Sequence, residues 1–342
     1  MCVWVAYTGK REAAPILWEC GKRIEGLWSG YYTGIATHNG KKMQHAKVAG
    51  HSRFWEEKYS LKNMHGTTGL WHSRTNSGGD QRKAHPFMGN KGEVALISQG
   101  SAGVFAKRGP IHNQMMNQHL REGMTFASAS EPLGNEACTL EDGKQIHCSD
   151  FVTQLVEKEF LRTGDHIGAL RYALTEYREE ADSIVIFRDQ PERLYFATTN
   201  SRILAAKYAD GVALSITALA FGHNPPKTTE LPVNSVGYID ADTLHIEKLS
   251  PLYDDINETM PDGCLEAMRE YLRKNGPSHL AHICDNAIAK LHTGEGMQCH
   301  GFSTYRALES LYFNGEIELI HQENQNPTNR VTGIVYLIKL RE

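Results

Sequence analysis

Cysteine stands at position 2, directly behind Met1 and ahead of the apolar run Val3-Trp4-Val5-Ala6-Tyr7. Removal of Met1, which a small second residue permits, leaves a thiol and a free α-amine on one residue. A free thiol is only a few per cent ionised at neutral pH, whereas an α-amine titrates at about 8 and can take the thiol proton. One residue then carries both nucleophile and base, and the chemistry open to it is attack on a carbonyl carbon. The competing reading makes Cys2 a small apolar residue on a buried strand, a common place for a free cysteine.

Other reactive side chains are less ordered along the chain. Seven cysteines at wide, irregular spacing read as reduced thiols and not as a disulfide framework. His279, His282, Cys284, His292, Cys299 and His300 concentrate metal-capable groups near the C-terminus, but they follow no common zinc spacing. No metal site and no cofactor are expected. Gly78-Gly79 and Gly100-Ser101-Ala102-Gly103 fit no phosphate-binding fingerprint and read as loop glycines where backbones approach closely.

A chain of 342 residues can bury a substantial core and is expected to form two domains. Its net charge of -4 gives no bias towards nucleic acid or anionic membrane. Lys10, Arg11 and Glu12 interrupt the first apolar run, so no secretory signal is expected, and no stretch approaches the roughly 20 apolar residues of a membrane span. A cytoplasmic protein is the expectation.

The elements that must position Cys2 begin with a buried strand over 2–7 and a turn at Gly9-Lys10. Ile16, Leu17, Cys20 and Ile24 then fall on one stripe of a helix over 13–24 that Gly26 ends. Strand patterns follow at 34–37, 69–72 and 94–98, and helices at 151–162 and 167–177. A hairpin pattern over 184–199 turns at Asp189-Gln190-Pro191-Glu192, and strands continue at 212–219, 236–239 and 244–249. Strands in neighbouring runs on both sides of a helical pair predict antiparallel sheets layered with helices.

Near Tyr253 the composition turns acidic and turn-prone. Helices are predicted over 264–274, 279–291 and 303–313, the last stopping at Asn314-Gly315, and strands over 316–321 and 332–339. Three helices followed by a hairpin resemble a winged-helix module. Its third helix offers only Arg306 as a cation, whereas DNA contact calls for clustered Lys and Arg, so protein interaction or dimerisation is the expectation and nucleic acid is not.

Met1-Cys2, Ala14-Pro15-Ile16-Leu17, Gly30-Tyr31, Gly34-Ile35-Ala36, His72-Ser73-Arg74, Ala84-His85-Pro86 and Gly100 occur in an order and spacing that resemble the glutaminase domain of glucosamine-6-phosphate synthase, a class II glutamine amidotransferase. The resemblance runs from residue 1 to about residue 250 and implies an α+β N-terminal nucleophile hydrolase: two stacked antiparallel sheets between helical layers, αββα. Domains are therefore expected at 1–252, glutaminase-like, and 253–342, winged-helix-like.

Carried over by resemblance, Cys2 attacks a side-chain amide, Gln99 and Gly100 stand at the oxyanion hole, Arg74 holds the substrate α-carboxylate and Ser77 assists it. Asp150 stands where the family places the carboxylate that receives the α-amine; its position also suits an N-cap for the helix from Phe151. His72 and His85 match structural positions. The departures surround this pocket. Gln99-Gly100 replaces the family's Asn-Gly, Ser29 stands at a family arginine, and Arg74-Thr75-Asn76-Ser77-Gly78-Gly79 lacks an aromatic and a histidine of the corresponding run. Residues 253–342 do not resemble the synthase's sugar-isomerase half. The expected function is hydrolysis of glutamine or a related γ-amide through a Cys2 thioester, with ammonia passing to water or to a partner; the alternative is a non-catalytic binding or scaffold protein.

Overall fold

Along the strand Val94–Gly100, Val94 and Leu96 point to one side and Ala95 and Ile97 to the other, and all four are fully buried. A strand covered on both faces belongs to a middle layer, and the computed structural model, which describes residues 2–100, 102–132, 138–178 and 180–341, shows what covers it.

In chain order the first elements are β1 (Val3–Gly9), α1 (Ala13–Ile24), β2 (Tyr32–His38), β3 (Met43–Ala49), α2 (Ser52–Lys58) and β4 (Thr68–Arg74). Next come β5 (Phe87–Met88), β6 (Val94–Gly100), α3 (Ala102–Arg121), the ribbon β7 (Cys138–Thr139) and β8 (Gln145–Ile146), α4 (Cys148–Thr163) and α5 (His166–Glu176). Strands follow as β9 (Glu180–Phe187), β10 (Leu194–Thr198), β11 (Ile203–Tyr208), β12 (Gly211–Ser215), β13 (Thr228–Leu231), β14 (Ser235–Ile239) and β15 (Leu244–Lys248). The C-terminal part holds β16 (Ile256–Asn257), α6 (Cys264–Asn275), β17 (Ser278–His279), α7 (Leu280–Ile283), β18 (Met297–Gln298), α8 (His300–Phe313), β19 (Ile317–Gln325) and β20 (Thr332–Leu340).

One sheet runs β13-β11-β12-β1-β4-β2-β3 and the other β15-β14-β10-β9-β6-β5. Pairing within both is antiparallel throughout. The sheets face each other through Ala95, Ile97, Ile184, Ile186, Leu194 and Phe196, which join the core of the first sheet. The opposite face of the second sheet, with Val94, Leu96, Val185 and Phe187, packs under α4 and α5. Helix α1 covers the first sheet, seated closely because Gly21 has no side chain: a Cβ there would fall 2.4 Å from the Trp71 ring. The order of layers is helix, sheet, sheet, helix.

The expected helices and most strands are present, with three differences. Helix α3 was not signalled, because Gly103, Gly109 and Pro110 interrupt a polar stretch. Ala102 and Gly103 are therefore helical and not loop residues, while Ser101 lies outside the described residues. The helix expected over 279–291 divides into α7, a wide turn over Cys284–Ile288 and a tight turn over Ala289–Leu291.

The C-terminal elements give α6, β17, the α7 segment, α8, β19 and β20, with a three-stranded sheet in the order β17-β20-β19. They share one apolar core with the first sheet, to which Met268, Leu272, Leu308, Leu311 and Ile338 all belong. The hairpin β19–β20 also bonds to the loop after α1, Ile334 N to Gly30 O at 3.1 Å and Tyr336 N to Gly26 O at 2.8 Å.

Candidate active site

Register brings the site together. The start of β1 lies beside the end of β4, Val3 opposite Ser73, and the end of β6 lies beside β9, Gln99 opposite Asp182. A bulge between Gln99 and Gly100 bends β6 at that point, a device that re-aims side chains beside functional sites. Period two puts Gln99 in phase with Ala95 and Ile97, and Asp182 in phase with Ile184 and Ile186, so both polar side chains enter the space between the sheets.

There the Cys2 backbone nitrogen donates to Gln99 Oε1 at 3.1 Å. Gln99 Nε2 in turn donates to Asp182 Oδ2 at 2.6 Å and to Ser201 Oγ, and Trp4 Nε1 reaches the same Asp182 oxygen at 3.2 Å. The carboxylate needs donors, which fixes the orientation of the Gln99 amide. Burial pushes the Asp182 carboxyl up to about 6 against those donors. Burial also pushes the Cys2 thiol up, while the Thr75 backbone and the Arg74 cation pull the other way. Sequence reasoning missed Asp182, although a carboxylate in phase with Ile184 and Ile186 on a buried strand was a readable signal.

Arg74 closes β4. It is buried, donates from Nη1 to Gly78 O at 2.6 Å and lies over the Tyr32 ring at 4.8 Å. Ser77 follows in the same loop and accepts from Thr75 Oγ1 at 3.2 Å. Asp150 is the third residue of α4, whose cap is His147, so the N-cap alternative does not hold. Its buried carboxylate accepts from Ser128 N (2.8 Å) and Ser128 Oγ (2.7 Å) through Oδ2, and from Gln154 Nε2 (3.0 Å) through Oδ1. Cys2, Gln99, Gly100 and Arg74 are thus gathered at one strand-end cluster, with Ser77 on its rim and Asp150 in an adjoining buried network.

That network includes His72, His85 and His147, with ring centroids 3.8 Å apart for the first pair and 4.9 Å for the second. Burial drives His72 down to about 3 and His85 and His147 well below the usual histidine range, so all three are neutral. Lys47, half-buried near them and donating to Ala84 O at 2.7 Å, is lowered to about 8, chiefly by desolvation. Among the described residues no group of three or more His, Cys, Asp or Glu side chains has the geometry to hold a metal ion.

Two cavities adjoin the cluster. One, about 480 Å³, is lined by Ser29, Tyr31, Thr75 and Asn76 on one side and by His279, His282 and Asn324 on the other. The second, about 320 Å³, is lined by Gly100, Ser201 and Arg202 and by Cys284, Asp285, His300 and Tyr305 from the C-terminal module. Trp28 borders both. Hairpin β19–β20 reaches over the first: Asn324 Nδ2 donates to Tyr31 Oη at 2.9 Å, and Asn329 Nδ2 to Gly79 O at 2.7 Å.

Two facing antiparallel sheets lie between helices, with the Cys2 nitrogen held at the head of a central strand, and this arrangement is similar to that of known amidotransferases. The glutamine phosphoribosylpyrophosphate amidotransferase from B. subtilis superposes with a TM-score of 0.55 over 73% of this chain and 50% of its own, at 17% identity. The allosteric regulatory enzyme of purine biosynthesis gives 0.59 over 81% and 59%, at 15% identity. At such identities the likeness is one of fold.

In sequence, the isomerizing glutamine–fructose-6-phosphate aminotransferase of Thermococcus kodakarensis is 25% identical over 207 residues, 60% of this chain and 30% of that protein. The chain's homologues are thus aminotransferases of this type, matched at partial coverage. The chain spans under a third of the length of these relatives, and no protein family profile matches it. No helix among the described residues is long and apolar enough to cross a membrane.

Proposed function

We propose that this chain hydrolyses the side-chain amide of glutamine, or of a related γ-amide, through a thioester on Cys2. The observation that carries the reading is the Cys2 nitrogen held at 3.1 Å by Gln99 Oε1 at the junction of the two sheets. Once Met1 is removed, that nitrogen is an amine whose position is set by a fixed acceptor. It takes the thiol proton, the sulfur bonds to the amide carbon, and the carbonyl π pair moves to oxygen. Return of that pair expels ammonia, which leaves with the proton the amine held. Water, activated by the same amine, then cleaves the thioester to the free carboxylate and restores the thiol.

The remaining roles follow position. Arg74, fixed by its bond to Gly78 O and by the Tyr32 ring it lies over, holds the substrate α-carboxylate through its guanidinium. Ser77 stands beside it as a second donor. Asp150 offers Oδ1, which accepts a single bond from Gln154, to the α-amine. Ammonia passes to water or to a partner protein.

Residues 253–342 are read as a winged-helix-like interaction module. The order of three helical segments, a small strand and a hairpin supports this, as does the engagement of Arg306 with Glu230 and with Glu258 O at 2.9 Å, which leaves α8 turned into the protein and not towards nucleic acid. A contact with a second copy through this module is part of the same proposal.

Intact mass of the purified protein, followed by reaction with a glutamine-mimicking electrophile and peptide mapping, tests the reading. A mass lacking Met1 and labelling at Cys2 ahead of the other six cysteines are expected. Retained Met1, or labelling that ignores Cys2, would return the protein to the scaffold alternative.

A further inference from the structure

One side chain of the C-terminal module borders the cavity that Gly100 also lines. Tyr305, on α8, is fully buried, its ring set edge-on to Trp28 with centroids 5.4 Å apart. Its hydroxyl has no hydrogen-bond partner among the described residues. Buried polar groups are nearly always satisfied, so an orphaned hydroxyl on a residue that borders a cavity points to a ligand atom or a water as its missing partner. The cavity in question, about 320 Å³, is the one that Tyr305 shares with Gly100 and Ser201.

Helix α8 is held in place by ionic contacts and not by this hydroxyl. Glu309, one turn beyond Tyr305, accepts from Arg202 Nη1, Thr217 Oγ1 and Ala218 N, each at 2.7 Å. Burial keeps the phenol well above the ordinary tyrosine range, with the neighbouring Cys2 adding to the effect, so it stays an O–H donor.

The acyl oxygen that turns negative when the thiolate attacks needs donors fixed in advance at about 3 Å. Gln99 has none to give, since both of its amide N–H bonds go to Asp182 and Ser201. We propose that the Tyr305 hydroxyl supplies this hydrogen bond, reaching the acyl oxygen from the C-terminal module while the Gly100 backbone serves it from β6. Tyr305 gives up no proton in the step: the oxygen gains the carbonyl π pair, accepts the O–H hydrogen bond, and returns the pair as the C–N bond breaks. The assignment rests on the Cys2 reading above, and it makes residues 253–342 part of the active site and not an appendage.

Steady-state glutamine hydrolysis by the full chain, read as ammonia, compares the parent with Tyr305→Phe. The variant should lose on the order of a hundredfold in kcat with KM little changed, as for removal of one oxyanion donor. Its Tm should not fall, because the deleted hydroxyl has no partner among the described residues. Equal kcat in an active parent overturns the role of Tyr305 and leaves the Cys2 reading standing. A parent that neither releases ammonia nor takes up a glutamine-mimicking diazoketone at Cys2 overturns both. If Tyr305→Phe proves unstable, 3-fluorotyrosine at position 305, a stronger donor of nearly the same shape, decides: kcat should rise, and an unchanged kcat overturns the proposal.

Discussion

Gln99 and Asp182 face each other across β6 and β9, Nε2 to Oδ2 at 2.6 Å, in the space between the two sheets. The bond orients the amide so that its oxygen, and not its nitrogen, meets Cys2. One glutamine side chain at this position thus meets the Cys2 nitrogen, Asp182 and Ser201 at once.

Gln99→Ala removes the acceptor that holds the Cys2 amine and should lower turnover on the order of a hundredfold, the size of effect seen when one preorganised polar contact is lost. It also strips the buried Asp182 of a donor, at a cost of about 1–3 kcal/mol in stability. Gln99→Asn, one methylene shorter, should not restore activity. Ammonia release and urea unfolding on the three proteins check this, and a Gln99→Asn variant faster than the parent would refute the bridging role.

Asp182 carries a pH signature. Its carboxyl is raised from 3.8 to about 6 in the fold, so the unfolded chain gives up this proton first. Stability from this group is complete below about pH 4 and is lost as pH rises towards 6, by about 3 kcal/mol in all. Asp182→Asn should abolish that loss, giving a higher Tm than the parent at pH 7.5 and no advantage at pH 4, together with weaker turnover. Thermal melts of both proteins across this range measure the difference directly.

Arg74→Lys keeps the charge but loses the planar fork that bonds Gly78 and lies on Tyr32. Binding of the substrate carboxylate should weaken by about 1.5–3 kcal/mol, the usual worth of a hydrogen bond to a charged group, read as a rise in KM for glutamine. Unchanged kinetics would remove Arg74 from the substrate site.

Glycine at position 30 has φ +106°, and a Cβ there would stand 2.0 Å from Ile334 O. Gly30→Ala should push hairpin β19–β20 off the loop it caps, with a stability loss of at least the roughly 1–3 kcal/mol of the backbone strain. Faster proteolysis within 322–332, together with the lower urea midpoint, would show that the hairpin has been released.

The neutral histidines set the acid limit. His72 is lowered by burial to about 3, so below about pH 6.5 the unfolded chain takes up protons that the folded chain refuses, and stability falls with pH by up to about 1.4 kcal/mol per unit for each such group. His72→Gln should move the midpoint of acid unfolding to lower pH, followed by circular dichroism; a midpoint that stays put would mean that His72 is not excluded from protonation.

Residues 2–7, 69–72 and 94–98 were readable as strands and 13–24 as a helix, because apolar runs and a helix stripe are local properties of the chain, while the fold was legible only through the resemblance of the motifs. Cys2 stood out as a candidate from its place directly behind Met1, and Arg74 from the resemblance, supported by the apolar run that precedes it. What the chain could not state locally is which strand ends meet. Asp182 lies 83 residues from Gln99 along the sequence and becomes its partner only through the β6–β9 register. The orientation of the Gln99 amide, the satisfaction of Asp150 by Ser128, and the arrival of Tyr305 beside Gly100 depend on packing between segments far apart in sequence. Local pattern determines which face of a strand is buried; tertiary contact alone decides what each buried polar group finds there.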